Sequence, residues 1–212
     1  DYTYTIGGTE IAPVAGVYIP QFYSIKLTRT FKPNQWTTLS LPFNLTQTEV
    51  EQIFGTGTQI IVFDKAKITS ARTYLTFFYH EIQNVLPGYP YLIRPTLVDA
   101  DGKQMVTKSN SADYAPTYTI NTEGKLTEFT VYNKAINPHI TQHEFTSGDY
   151  TAKCTPSYCT ANVSGNGRND YSKQYENGDI FVSENNGTVY ISEGSSYGKG
   201  YRSYIDYTGT TA

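Results

Sequence analysis

Apolar and polar residues trade places at a period of two along much of the chain, the pattern of strands that bury one face. Within a long strand predicted between Val17 and Phe31, Ile25, Leu27 and Phe31 fall on one side of the extended chain and Lys26, Thr28 and Thr30 on the other. In Trp36-Thr-Thr-Leu-Ser-Leu-Pro-Phe43 the pattern returns, with Leu39, Leu41 and Phe43 alternating against Ser40 and Pro42. Pro42 has no N–H to give to a ladder and should end that strand. Directly afterwards Thr46 and Glu49 have the spacing of a capping box, Leu45 and Val50 that of a hydrophobic staple, and Gly55 stands where a helix end favours positive φ. A helix of about two turns is therefore predicted over Thr46 to Phe54.

Downstream, Gln59 to Phe63, Asp64 to Arg72 and Thr73 to Tyr79 read as successive antiparallel strands. Tyr91-Leu92-Ile93 lies between Pro90 and Pro95, which predicts a short strand at a sheet edge. Asp99-Ala-Asp-Gly102 reads as a turn, and a second turn around Gly124 separates Tyr118 to Ile120 from Phe129 to Tyr132. The sharpest pattern is Asp179 to Ser192. With Glu184 to Gly187 as a four-residue loop, Val182 faces Val189 and Ile180 faces Ile191, all on one face; a two-residue turn at Asn186-Gly187 would slip that register. Tyr201 to Tyr207 is the expected closing strand.

Composition sharpens the class. Thirty Thr and 20 Tyr stand against nine Leu and 11 Ala, so residues suited to a pleated surface outnumber the best helix formers. The prediction is an all-β chain, an antiparallel β-sandwich with one short helix near residues 47–54. No linker rich in Pro or Ser, exact repeat or charge run divides it, so residues 1–212 are expected to form a single domain, with residues 1–14 as a loose entry or edge segment. A net charge of −3 with scattered Lys and Arg argues against nucleic acid, which needs a basic stripe. No apolar run approaches the roughly 18 residues of a membrane span. The chain opens Asp1-Tyr-Thr-Tyr without an apolar leader, which leaves either a cytosolic protein or one whose signal has been removed.

Candidate chemistry is sparse. Gly194-Ser-Ser-Tyr-Gly198 matches a nucleophile elbow and Ser196 with Lys199 matches S-x-x-K, yet the elbow needs a following helix and a later His, and a Gly-rich segment follows instead. A turn between strands is the simpler reading. His139 and His143 would share a metal on a helix, but Pro138, Ile140 and Thr141 favour an extended run that separates them by roughly 13 Å. Asp99 and Asp101 lack the later ligands of a calcium loop. No cofactor or metal is expected. Cys154 and Cys159 flank Thr-Pro-Ser-Tyr and could face each other across a tight hairpin, as a disulfide if the protein is exported or as two free thiols. The Gly165 to Gly178 stretch reads as a long polar loop. Arg168, Asn169, Asp170, Tyr171 and Tyr175 there combine aromatic faces with amide and charged groups, the mix a sugar-binding surface requires, although most Tyr residues are expected to pack ring-in and hydroxyl-out on the sheets.

Four pieces together resemble a module of exported surface proteins from Bacteroides and Prevotella relatives, described as cell-adhesion proteins or lipoproteins. They are Trp36-Thr-Thr-Leu-Ser-Leu-Pro-Phe43 with Phe54-Gly55, Gly88-Tyr-Pro-Tyr-Leu-Ile-Arg-Pro95, Gly178-Asp-Ile-Phe-Val-Ser183 and Gly200-Tyr-Arg-Ser-Tyr204. Their order and approximate spacing also fit. The resemblance implies export, a β-rich fold and a place at the cell surface through an anchor absent from this chain, and it carries over no catalytic residues. The polar stretch at Gly165 to Gly178 and the Cys pair depart from it. The expectation is thus a non-enzymatic surface module that supports adhesion or binds a surface glycan or a host or microbial protein. An accessory carbohydrate-binding domain of a polysaccharide-degrading system is the alternative, and an uncharacterised hydrolase with two carboxylates in one cleft the third reading.

Overall fold

The computed structural model describes residues 5–6, 9–10, 22–69, 74–137, 139–147, 150–157, 172–183, 185–199 and 202–208. In chain order the first elements are β1 (Thr5–Ile6), β2 (Thr9–Glu10), β3 (Tyr23–Phe31), β4 (Thr37–Leu39), α1 (Gln47–Phe54), β5 (Gln59–Thr69), β6 (Tyr74–Ile82) and β7 (Tyr91–Arg94). They are followed by β8 (Thr117–Ile120), β9 (Leu126–Lys134), β10 (His143–Ser147), β11 (Tyr150–Ser157) and β12 (Ser172–Gln174). The last four are β13 (Asn177–Val182), β14 (Val189–Glu193), β15 (Tyr197–Lys199) and β16 (Arg202–Thr208). Every strand pairing is antiparallel, and α1 is the one helix among the described residues.

Two sheets, β3-β9-β8 and β4-β7-β5-β6, enclose the main core. Ile25, Leu27 and Phe31 of β3 and Phe129 and Val131 of β9 meet Leu39, Ile60, Tyr91 and Ile93 of the facing sheet. The third sheet, β10-β11-β16-β13-β14, has a small core of its own around Ala152, Cys154 and Ile205. Two-strand ribbons, β1-β2 and β12-β15, complete the pairing. The turn at the tip of β13 and β14 reaches the first sandwich, where Lys32 Nζ donates to the Asn185 carbonyl at 2.8 Å.

Helix α1 forms where local signals place it. Thr46 Oγ1 accepts from Glu49 N at 3.3 Å while Thr46 N donates to Glu49 Oε2 at 2.9 Å, so both halves of the capping box close. Val50, Ile53 and Phe54 form its buried stripe. The Phe54 ring sits edge-on to Phe31, with centroids 5.1 Å apart, and to Phe129 at 5.5 Å. Gly55 ends the helix at φ 98° and ψ 155°, a region that belongs almost wholly to glycine.

An ion pair fastens the helix to the sheet. Lys134 of β9, only 7% exposed at its side chain, meets Glu49 at 2.6 Å. Burial pushes the Glu49 carboxyl upward, but the Lys134 ammonium and the Thr46 N–H outweigh it, and the group lies below its ordinary 4.5. A depressed carboxyl contributes stability above its unfolded pKa and loses it as pH falls through the folded value. The denaturation midpoint is therefore expected to drop as the solution is acidified below about pH 4.5. Glu49→Gln, which leaves Lys134 without its counter-charge, should cost about 2 kcal/mol near pH 7, between the values for exposed and buried pairs. Urea titrations at pH 7 and pH 3.5 check this, since the gap between wild type and variant should narrow in acid.

Several expectations need correction. Strand β4 stops at Leu39, and Thr37 to Phe43 is buried on every side rather than on alternate residues. Backbone groups beyond β4 serve the loop after β6 instead: Gly88 N donates to the Leu41 carbonyl at 2.8 Å, and Leu45 and Val85 exchange both bonds at 2.9 Å. Strand β7 is short, as predicted, but lies inside its sheet between β4 and β5. Pro90 and Pro95 fall just outside its ladder, so their missing N–H groups cost nothing there. The two strands expected over Gln59 to Arg72 are one strand to Thr69, with a register shift between Phe63 and Lys65. On β3, Arg29 shares the inward face with Leu27 and Phe31 and is only 4% exposed. Its guanidinium donates to Thr37 Oγ1 at 2.9 Å and lies 4.6 Å from the Phe31 ring centroid, which bridges the two layers.

The register of β13 and β14 agrees with the sequence: Ile180 opposes Ile191 and Val182 opposes Val189. That shared face is covered only in part. As the outermost strand of its sheet, β14 leaves Val189 61% and Ile191 69% exposed.

Candidate functional site

An open groove of about 880 Å³ lies where helix α1, the end of β6 and the loop after it, β7 and the start of β10 come together. Its construction begins at the helix N-terminus. The first helical N–H, that of Gln47, has no partner within the helix and donates to Asn84 Oδ1 at 2.8 Å, which ties the loop after β6 to α1. One turn further, Gln47 Nε2 donates to Glu51 Oε1 at 3.1 Å. Across the groove, β6 ends in His80-Glu81-Ile82 and runs into Gln83 and Asn84, of which His80, Glu81, Gln83 and Asn84 are exposed. Gln59 Nε2 donates to Glu81 Oε1 at 3.3 Å, and Gln59 Oε1 accepts from Arg94 Nη1 at 3.3 Å.

Aromatic rings make the remaining wall. Tyr91 is 2% exposed, and its hydroxyl accepts from Leu86 N at 3.1 Å; burial pushes the phenol up to about 12, so it stays a neutral anchor. Half-buried Tyr89 lies nearly parallel to Tyr91, with centroids 6.2 Å apart, and meets the edge of His143 at 5.5 Å. Thr141 N donates to the Gly88 carbonyl at 2.9 Å, which docks the segment before β10 against the turn that carries Tyr89. The groove thus sets fixed carboxylate, amide and imidazole groups around an aromatic wall. A second cleft of about 150 Å³ near Cys154, Val189 and Ile205 offers almost only apolar surface and little to orient a ligand.

Of the residues singled out in the sequence, His143 lines the groove and the other described ones lie elsewhere. Arg168, Asn169, Asp170 and Tyr171 are outside the described residues. Tyr175 is 4% exposed, stacked on Phe181 with centroids 4.9 Å apart and tilted against Tyr204 at 5.4 Å. The stretch expected as one loop from Gly165 to Gly178 contains β12 and the start of β13. Cys154 is buried on β11, and burial pushes its thiol up to about 12; Cys159 is outside the described residues. Gly194 to Ser196 joins β14 to β15, a turn followed by a strand, with no helix after Ser196 among the described residues. Asp99 caps its own turn, accepting at Oδ1 from Asp101 N and Lys103 N, both at 2.9 Å. His139 sits in an irregular segment and His143 opens β10. Among the described residues, no three His, Cys, Asp or Glu side chains gather as a metal site would need.

Sequence reasoning passed over His80, Glu81, Gln83, Asn84 and Tyr89. One signal was present: from Tyr79 to Asn84 the period-two alternation dissolves into titratable and amide side chains, five of the six exposed.

By its architecture the chain is a mostly-β protein, built from antiparallel sheets with one short helix. No protein-family model matches it, and neither a curated protein nor a solved structure does.

Proposed function

We propose that this chain is a non-enzymatic cell-surface module that binds a glycan or a protein through the groove between α1, β6 and β10. The observation that carries the reading is the groove itself, where an aromatic wall stands beside amides and carboxylates. Hydroxyl-rich ligands need that combination of a flat apolar face with fixed donors and acceptors. Placement at the cell surface rests on the resemblance to exported modules. Of the pieces that carry it, Thr37 to Leu39 pairs with Tyr91 to Ile93 and Ile180 with Ile205 next to Tyr204, while Tyr89 stands in the groove wall.

A glycan array together with a panel of immobilised surface proteins tests the reading. Wild-type protein is expected to bind a subset of the panel, and Tyr89→Ala to weaken that binding by about tenfold, the worth of one good aromatic contact. Binding that ignores the Tyr89 change would remove the groove from the account. Appearance of new reducing ends when a bound oligosaccharide is incubated with the protein would replace binding with hydrolysis, for which Glu51 and Glu81 would be the carboxylates to suspect.

A further inference from the structure

We infer that the groove selects neutral glycan segments and disfavours those bearing carboxylate or sulfate groups. The inference rests on the groove being the binding site and deepens that reading by naming the ligand class. Its basis is the pair Glu51 and Glu81. Each is held at Oε1 by a glutamine amide, from Gln47 and Gln59 respectively, and the second oxygen of each has no partner among the described residues. A carboxylate fixed at one oxygen and free at the other is an acceptor already oriented for a hydroxyl, and little order is lost when a ligand arrives. The donors are supplied separately. Asn84 Oδ1 is taken by Gln47 N, which leaves its NH₂ for the groove, and exposed Gln83 lies beside it. Sugar hydroxyls both donate and accept, so they can satisfy the carboxylates and the amides at once.

Charge decides between glycan classes. No Lys or Arg is among the described residues that line the groove, and Arg94, the nearest cation in this network, is turned to Gln59 and to the Asn34 carbonyl at 3.2 Å. Two carboxylates with no Lys or Arg among the described lining give a field that repels anions. An anionic sugar brought within about 4 Å of either carboxylate should lose about fivefold in affinity even at the dielectric of bulk water. A cationic peptide would satisfy the charge too, its carbonyls accepting from Asn84 and Gln83, and it serves as the competing ligand in the test.

The test compares the full chain with Glu51→Gln/Glu81→Gln, Tyr89→Ala and Gln83→Ala variants by calorimetry. Neutral probes are maltohexaose, xylohexaose and mannohexaose; acidic probes are oligogalacturonate and a heparin hexasaccharide. Wild type is expected to take a neutral probe and to bind the acidic ones about fivefold more weakly, with the gap closing in the double glutamine variant. Gln83→Ala, at an exposed side chain, should weaken neutral binding while leaving the melting temperature unchanged. Preference for an acidic probe overturns the selectivity and leaves glycan binding standing. Failure of every saccharide, or capture of an arginine-rich peptide alone, overturns both the selectivity and the glycan reading. Neutral binding indifferent to Tyr89→Ala and Gln83→Ala places the site elsewhere and overturns the inference.

Discussion

Phe54→Ala is expected to lower the unfolding free energy by about 4 kcal/mol, a large share of the total a domain of this size commands. The ring is completely buried at the end of α1 and stands edge-on to Phe31 and Phe129 on the opposite sheet. Removing it leaves a void bounded by three rigid elements, which cannot close together, so the cavity adds to the lost transfer energy. Urea titration followed by tryptophan fluorescence should show the midpoint falling with an unchanged slope, and melting some 10 °C earlier, at about 2–4 °C per kcal/mol. A loss below about 1 kcal/mol would mean that the helix does not plug the sandwich as described.

Gly55→Ala should cost nearly as much, about 3 kcal/mol or more, for a different reason. At φ 98° and ψ 155° an L side chain is strained before any neighbour is considered. An added Cβ would also fall 2.4 Å from Thr96 Oγ1, 2.6 Å from Leu97 N and 2.7 Å from Val98 N. That segment cannot retreat, because Thr96 N and Leu97 N both donate to the Phe54 carbonyl, at 3.1 and 2.9 Å. Gly102 supplies the control. It has φ 77° with nothing within 4 Å of an added Cβ, so Gly102→Ala should lose only about 1 kcal/mol of backbone strain. Equal losses at the two positions would show that the close approach at Gly55 contributes nothing.

Features written in neighbouring residues were legible from the sequence. Helix α1 was, since Thr46, Glu49 and Gly55 act on backbone groups within a few positions of themselves. The β13–β14 register was too, because a four-residue loop and alternate apolar positions admit one pairing. What escaped depends on partners far away in the chain. The place of β7 inside its sheet requires β4 on one side and β5 on the other, and Arg29 becomes buried only because Thr37 and Thr38 arrive above it. The groove was invisible for the same reason. Gln47, His80, Tyr89 and His143 meet only after three separate stretches of chain have been folded together. Tyr175 shows the converse error, where a residue read as a presented ring proves to be packed against Phe181 and Tyr204.

The pairing of β3 with β9 bears on how the protein is made. Tyr23 meets Lys134 and Phe31 meets Leu126, so the first long strand waits for about a hundred further residues before its partner exists. At ribosomal rates of about 5–20 residues per second that interval is on the order of 10 s, during which Ile25, Leu27 and Phe31 have no sheet to join. Loop closure over such a span is also slow in refolding. The nascent chain therefore carries an uncovered apolar strand while about a hundred further residues are added, and chaperone demand should fall on the β3 segment.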